Sequence, residues 1–130
     1  MRKFGLSLVF AALATLALAP LVEAHHSVAT FFFLDKTVQL KGTVQEFRLV
    51  NPHMLLKLEV TAADGTKELW TLTGGVTGDL LAAGWTPQAI KFGDLVTVEG
   101  APARNPDAKG MYVRKLTTPE GKVLQQRIRD

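Results

Sequence analysis

The three histidines of this 130-residue chain are its main candidates for metal chemistry, and two of them, His25 and His26, are adjacent. If the chain is cleaved after Ala24, His25 becomes the amino-terminal residue, and its free amine and ring nitrogen can chelate one metal ion together. His26 and His53 can each add a further imidazole. The chain has no cysteine, and an amine with imidazoles but no thiolate favours Cu(II) by ligand preference and by the Irving–Williams order. The pattern therefore predicts copper as the metal of such a site.

A plain structural interpretation of the same histidines stays open. A pair of histidines at a new chain end is also typical of a flexible polar terminus. His53 follows Asn51-Pro52, so its ring can simply satisfy a carbonyl group in a turn. Met54 and Met111 are potential soft ligands, but both fall at apolar positions, and we expect both in the core.

The segment before the histidines has the three parts of a secretory signal peptide. Arg2 and Lys3 give a basic start, an uncharged apolar run extends from Phe4 to Ala19, and Val22–Ala24 supplies the exit. The run is shorter than the roughly 20 residues that span a bilayer. We therefore expect residues 1–24 to be removed, leaving a periplasmic or secreted protein with no stable membrane span.

The mature chain is expected to comprise an N-terminal arm, residues 25–35, and one domain, residues 36–130. Its formal net charge falls from +3 to +2 on cleavage, since Arg2, Lys3 and Glu23 leave together. The remaining charges are mixed and form no basic stripe, so nucleic acid is not an expected partner. No nucleophile elbow or phosphate-binding loop is present, and the acids are scattered. These absences favour a protein that is not an enzyme.

The first half of the domain reads as three strands joined by short turns. Between Lys36 and Val50 the apolar residues change parity near Gln45-Glu46, which is the effect of a β-bulge. Apolar and polar residues then alternate from Met54 to Val60. Asp64-Gly65 predicts a hairpin, because such a turn needs positive φ. A third strand, Lys67 to Thr73, completes the meander.

The second half begins with a helical insert. Gly74-Gly75 is expected to end the third strand, and a short helix from Gly78 to Ala83 is closed by Gly84. Thr86 as N-cap and Pro87 at the first helical position predict a second helix. Three strands follow, over Asp94–Glu99, Met111–Leu116 and Lys122–Gln126; Gly100 is expected to end the first, and Pro119-Glu120-Gly121 forms a turn before the last.

This order of elements predicts a mainly β fold, a small OB-like Greek-key β-barrel with a short helical insert between strands 3 and 4. A long, bulged first strand suits that barrel, because it must bend around both halves. An eight-stranded up-and-down barrel needs more strands than the chain supplies, and a plain sandwich does not need the helix.

The aromatic residues suggest a contact surface. Phe31, Phe32 and Phe33 lie on the arm, where three consecutive rings on an extended chain must show both faces. We expect at least one ring to be exposed or to pack outside the barrel. Trp70 on the third strand and Trp85 in the insert are candidate platforms for a sugar or a partner chain. All five residues can alternatively fill or plug the barrel.

Several sequence blocks together resemble a family of small exported bacterial proteins, known as domain of unknown function 6152. The blocks are "AHHSVA", "VQLKGTVQEFRLVNPHMLL", "GWTPQAIKFGDLVTVEGAPAR" and "PEGKVL", and they keep their order over nearly all of the mature chain. The resemblance implies an envelope location and no assigned activity. This chain departs from the family pattern at Phe31–Leu34, where such proteins tend to carry a more polar segment with a single aromatic residue.

Two functions follow as expectations from the sequence. The first is an exported binding or accessory protein that holds copper through a new amino-terminal histidine, with His25, His26 and His53 as ligands. The second is an adaptor that binds an envelope protein or a glycan through the aromatic residues of the arm and the barrel.

Overall fold

The computed structural model describes residues 27–126, and the sequence-based expectations for residues 1–26 and 127–130 lie outside this range. The signal peptide, its cleavage point, His25 and His26 are therefore not part of the described structure. The strands are β1 (Val38–Arg48), β2 (His53–Thr61), β3 (Lys67–Val76), β4 (Leu95–Pro102), β5 (Gly110–Thr117) and β6 (Val123–Gln125). The helices are α1 (Val28–Phe31) and α2 (Thr77–Ala82).

The first five strands close into a barrel. Antiparallel pairing runs from β3 through β2 and β1 to β4 and β5, and β5 returns to pair with β3 in parallel. This circular order, with a helix between β3 and β4, is that of an OB-like Greek-key barrel. The predicted fold class is confirmed. Strand β6 adds to the second half of β5.

Strand β1 belongs to both halves of the barrel, as the bulged sequence predicts. Its residues Val38–Thr43 pair with β4, and its residues from Gly42 to Arg48 pair with β2. The register against β2 shifts between Val44 and Glu46, which confirms the bulge. Where the two pairings overlap, a Cβ on Gly42 would lie 2.7 Å from the carbonyl oxygen of Glu59. Only glycine fits at that crossing.

The barrel interior is filled by the inward-facing side of each strand. On β2 every second residue from Met54 to Val60 is buried. Met54 and Met111 are 1% and 0% exposed, so both lie in the core, as expected from their apolar positions. Burial of this alternating apolar side is the main force that stabilises such a barrel.

Two turns form where the sequence predicts them. Gly65 has φ of 86° in the β2–β3 hairpin, and the Asp64 carboxylate accepts hydrogen bonds from the backbone N–H and the hydroxyl of Thr66. Gly84, with φ of 88°, ends the turn after α2. Both glycines take a left-handed conformation that other residues adopt only with strain.

Two glycine positions were predicted wrongly as strand ends. Strand β3 continues through Gly74-Gly75 to Val76, and β4 continues through Gly100 to Pro102. In each case glycine permits a close approach instead of ending the strand. A Cβ on Gly74 or Gly75 would meet the side chain of Gln126, and one on Gly100 would meet the carbonyl group of Tyr112.

The predicted second helix at Thr86-Pro87 does not form. The chain makes a single turn in which the backbone N–H of Ala89 donates to the carbonyl of Thr86 at 3.0 Å. Trp85 and Ile90 on either side of this turn are 0% and 3% exposed. Burying both in so short a segment requires a compact turn. Within residues 27–126, no helix combines the length and the apolar character needed to cross a membrane.

Candidate functional site at the junction of arm and barrel

The N-terminal arm folds back onto the barrel. Its first part is not extended, because Val28–Phe31 forms a single helical turn, α1, whose N-cap Ser27 accepts a hydrogen bond from the N–H of Ala29 at 3.2 Å. Phe32 then pairs with Ala103 just beyond β4. The N–H of Phe33 donates to the carbonyl of Pro102 at 2.9 Å. The arm thus continues the sheet beside the end of β4.

Two arginines from distant parts of the chain fix the arm through its carbonyl groups. Arg104 Nε donates to the carbonyl of Ala29 at 2.6 Å. The Arg114 guanidinium donates to the carbonyl groups of Leu34 and Lys36 and to the hydroxyl of Thr37. These charge-assisted bonds satisfy backbone acceptors that no strand pairs, which explains how so short an arm holds its place.

The three phenylalanines have three different environments. Phe31 is 55% exposed, in agreement with the expectation that one ring would be. Phe32 packs edge-to-face on the Tyr112 ring, with centroids 5.7 Å apart. Phe33 has two cations over its ring, Lys36 Nζ at 4.1 Å and Arg104 Cζ at 4.6 Å from the centroid. The arm is therefore anchored by its second and third rings, and more than half of its first ring is exposed.

Lys36 and Arg104 are cations without a carboxylate partner among residues 27–126. The ion pairs of that range lie elsewhere on the barrel and involve other residues: Arg48 and Lys57 with Glu46, Lys67 with Glu59, Lys109 with Glu68, and Lys115 with Glu99. We call Phe33, Lys36 and Arg104 the cation cluster. It combines uncompensated positive charge with an aromatic ring, next to the exposed Phe31.

Tyr112 is the barrel residue on which the arm packs through Phe32. It is 6% exposed, and burial, with a smaller contribution from the charge of Asp79, raises the pKa of its phenol. The hydroxyl therefore stays neutral at physiological pH. Its ring is the surface on which Phe32 packs.

The two tryptophans do not join this surface. Trp85 is 0% exposed, and its indole N–H donates to the carbonyl of Gln125 at 3.1 Å, so it is a core residue with no face left for a ligand. Trp70 pairs with Leu58, faces the barrel interior and is partly buried. Its indole N–H donates to Glu68 at 3.2 Å. Of the alternatives left by the sequence, filling the barrel is the one observed for Trp85.

The outer face of β1, β2 and β3 carries a shallow, open depression of about 320 Å³. Its walls are mostly charged side chains that pair with one another, and hydrogen bonding by Lys57 lowers the pKa of Glu46. The lining residues are Gln45, Glu46, Lys57, Glu59, Lys67, Glu68 and Leu69. This lining has no aromatic side chain, so the depression offers no platform for stacking a base or a sugar.

The histidine expected as a third metal ligand is exposed at the start of β2, where His53 pairs with Val76. Between residues 27 and 126, no three His, Cys, Asp or Glu side chains are grouped as a metal site would require. His25 and His26 are outside the described residues. The structure thus brings Phe31, Phe32 and Phe33 together with the barrel and leaves the metal site a prediction.

Sequence reasoning missed Lys36, Arg104 and Arg114 as the residues that fix and charge the arm. Arg104 and Arg114 lie 75 and 78 residues from the backbone groups that they bind, Ala29 and Lys36. A sequence pattern of strands and turns carries no signal at that separation. The one available signal was the departure at Phe31–Leu34, which marked the arm as unusual.

The fold and the site define the molecule as a small OB-like barrel with an N-terminal arm docked at its edge. The chain belongs to a family of unknown function, DUF6152, whose model matches residues 12–114. Among solved structures, the mitochondrial single-stranded DNA-binding protein of S. cerevisiae is similar with a TM-score of 0.49 and 14% identity, over 65% of this chain and 93% of that chain. No curated protein matches the sequence.

Proposed function

We propose that this protein is an exported binding protein that contacts a partner protein through the junction of arm and barrel. The observation that carries the proposal is the exposure of Phe31, 55% of whose surface is open while the two following rings are held on the barrel. Aromatic residues are enriched in protein interfaces and supply much of their binding energy. A rigidly presented ring binds at a lower entropic cost than a mobile one.

A protein partner is better supported than a glycan. The two tryptophans that were predicted as sugar platforms are poorly placed for stacking, because Trp85 is fully buried and Trp70 packs on the core with Lys109 Nζ 5.8 Å from its ring centroid. The depression on the outer face is lined by paired charges without an aromatic ring. Phe31 and the cation cluster instead offer an apolar contact beside positive charge, which suits a chain with apolar and acidic residues.

Site-specific photo-cross-linking in the native host tests this proposal. A photoreactive phenylalanine at position 31 should give a discrete adduct, and the same residue at position 92 should not. Phe92 is the matched control, because it is 77% exposed and lies far along the chain, in the loop before β4. The purified adduct partner should then bind the wild-type protein at least tenfold more tightly than Phe31→Ser. Equal labelling at both positions, or equal affinity of the variant, would contradict the proposal.

Export is a premise of this proposal, supported by the basic start, the apolar run and the small-residue exit of residues 1–24. The protein recovered from the envelope fraction should begin at His25 on amino-terminal sequencing. Recovery of chains that begin at Met1, or retention in the membrane after an alkaline wash, would remove the premise.

Copper binding through His25 is a second candidate function. The docked arm limits which residues can join His25 as copper ligands. The chain is held on the barrel from Ser27 onward. In a chain cleaved after Ala24, two residues precede this held segment, and they can extend by about 7 Å. A wholly extended arm would instead give His25 a reach of roughly 35 Å to Lys36. The chelate of amine and ring within His25 needs no partner from the barrel, and His26 is the nearest further ring.

The test of copper binding separates the contribution of the terminal amine from that of the imidazole rings. Protein that begins at His25 should bind one Cu(II) with nitrogen couplings in its paramagnetic resonance spectrum. One added residue ahead of His25 should weaken binding at least a hundredfold, since the amine moves away while every ring remains. His53→Ala should change the affinity little. Equal binding by the native and the extended terminus, or no binding below micromolar, would exclude the chelate.

A further inference from the structure

The geometry points to the cation cluster as a binding site for carboxylate groups of an acidic peptide segment. The inference rests on the proposed function, because it names the chemistry of the partner that the junction would recognise. Two steps support it: the charges are uncompensated, and they are held in place before any ligand arrives.

The charges of the cluster are close together and form no ion pair with a carboxylate of residues 27–126. Lys36 Nζ and Arg104 Cζ lie 4.1 and 4.6 Å from the same Phe33 centroid, so they are within about 9 Å of each other. That is inside the ~10 Å over which charges interact at moderate salt. Asp35 and Asp107 are the acids nearest to them in sequence. Neither acid is in the ion pairs of residues 27–126, which join other residues. Two mutually repelling cations gain energy from an anion bound between or beside them.

The Arg104 side chain is held before any ligand binds. Its Nε donates to Ala29, its guanidinium lies over Phe33, and its backbone N–H donates to the carbonyl of Phe31 at 2.8 Å. Neither terminal nitrogen donates to an atom of residues 27–126, so both can bind a ligand. A fixed guanidinium edge matches a carboxylate with two parallel hydrogen bonds. Arg114, in contrast, uses both terminal nitrogens: one donates to Lys36 and Thr37, and the other donates to Leu34.

An extended acidic peptide can place two carboxylates within the ~9 Å that is the largest separation of the two cations. Side chains at positions i and i+2 of an extended chain lie on one side, roughly 6.6 Å apart. Two carboxylates at that spacing can therefore reach one cation each, with the residue between them free to contact other groups. A peptide with an aromatic residue flanked by two glutamates carries both the acidic and the apolar character of the proposed partner.

The experiment titrates the isotopically labelled protein with acetyl-Glu-Phe-Glu-amide and follows Arg104 Nε and the amides of Phe33 and Lys36 by nuclear magnetic resonance. These signals should shift in a saturable way, and acetyl-Gln-Phe-Gln-amide should bind at least tenfold more weakly. Lys36→Gln and Arg104→Lys should each weaken binding at least fivefold. Arg104→Lys keeps the charge and loses the fork, so it also tests the guanidinium. Lys91→Gln is the matched control and should bind normally.

Each outcome has a defined meaning. Equal shifts with both peptides, or an equal loss in Lys91→Gln, would overturn the inference. Binding of inorganic phosphate at matched ionic strength without binding of the acidic peptide would also overturn it and would indicate a phosphate-bearing ligand. The amide spectrum of each variant reports whether the barrel and arm remain folded. If the peptide binds as expected but position 31 gives no adduct, the acidic-peptide site stands and the proposed partner surface fails.

Discussion

Trp85 illustrates how one residue can carry more stability than its sequence context suggests. It is among the largest fully buried side chains, and its indole N–H satisfies the carbonyl of Gln125 at the end of β6. The same side chain thus fills the core and fastens the last strand. The sequence identified it as large and aromatic, but contact with a ligand and burial look alike at that level.

Replacing Trp85 should therefore destabilise the protein more than replacing Trp70. Trp85→Phe removes part of a buried ring and leaves the Gln125 carbonyl without its donor, so the free energy of unfolding should fall by about 1–3 kcal/mol. Trp70→Phe, at a partly buried position, should cost less than about 1 kcal/mol. Urea unfolding followed by circular dichroism measures both. A smaller effect at Trp85 than at Trp70 would contradict its core role.

Strands β3 and β5 separate beyond a short parallel pairing, and a single side chain bridges the gap. Their ladder covers only Thr71–Thr73 of β3, after which β6 takes the place beside β5. The Gln126 side chain accepts from the N–H of Gly75 at 2.7 Å and donates to the carbonyl of Val113. A Cβ on Gly75 would lie 2.9 Å from Gln126 Oε1. The absence of side chains at Gly74 and Gly75 thus leaves the space that the Gln126 side chain occupies.

This contact predicts that mutations at Gly75 and Gln126 have coupled effects on stability. Gln126→Ala leaves a partly buried N–H and a carbonyl unpaired, which should cost about 1–3 kcal/mol. Gly75→Ala should be similarly destabilising, because the new Cβ displaces the amide from both of its hydrogen bonds. In the Gln126→Ala background, however, Gly75→Ala should cost much less. A double-mutant cycle of unfolding free energies measures this coupling, and strictly additive effects would show that the two sites act independently.

At the scale of the whole molecule, the barrel could be predicted and the docking of the arm could not. Alternation from Met54 to Val60, the bulge in β1 and Asp64-Gly65 are local signals, and together they specify a meander that a helix then interrupts. The parity change near Gln45-Glu46 even indicated that one strand serves both halves. Contacts such as Arg104 with Ala29 join residues 75 positions apart, and no local periodicity encodes them. The same holds for Gly75 and Gln126.

The pH dependence of stability is a property of the whole barrel, because the ion pairs that contribute to it lie on several strands. Hydrogen bonds from Lys57, Lys109 and Lys115 lower the pKa of Glu46, Glu68 and Glu99, respectively, below the ordinary value of 4.5. The unfolded chain therefore binds protons more readily than the folded one in this range. The stabilisation is fully present above about pH 4.5 and is lost as the pH falls through the lowered values.

Burial acts in the opposite direction at Tyr112, whose pKa it raises above the ordinary value of 10.0. The folded state holds that proton more tightly, so this contribution is fully present below about pH 10 and is lost as the pH rises further. The thermal unfolding midpoint should therefore fall below pH 4.5 and again above pH 10. Glu99→Gln should reduce the acid decline, and 1 M salt should reduce it further, because the carboxylates are exposed and screened. Tyr112→Phe should reduce the alkaline decline alone. An unfolding midpoint that increases as the pH falls below 4.5 would contradict this prediction. It would mean that the paired glutamates do not govern acid stability. It would also mean that other groups outweigh the repulsion among the cations, which include Lys36 and Arg104.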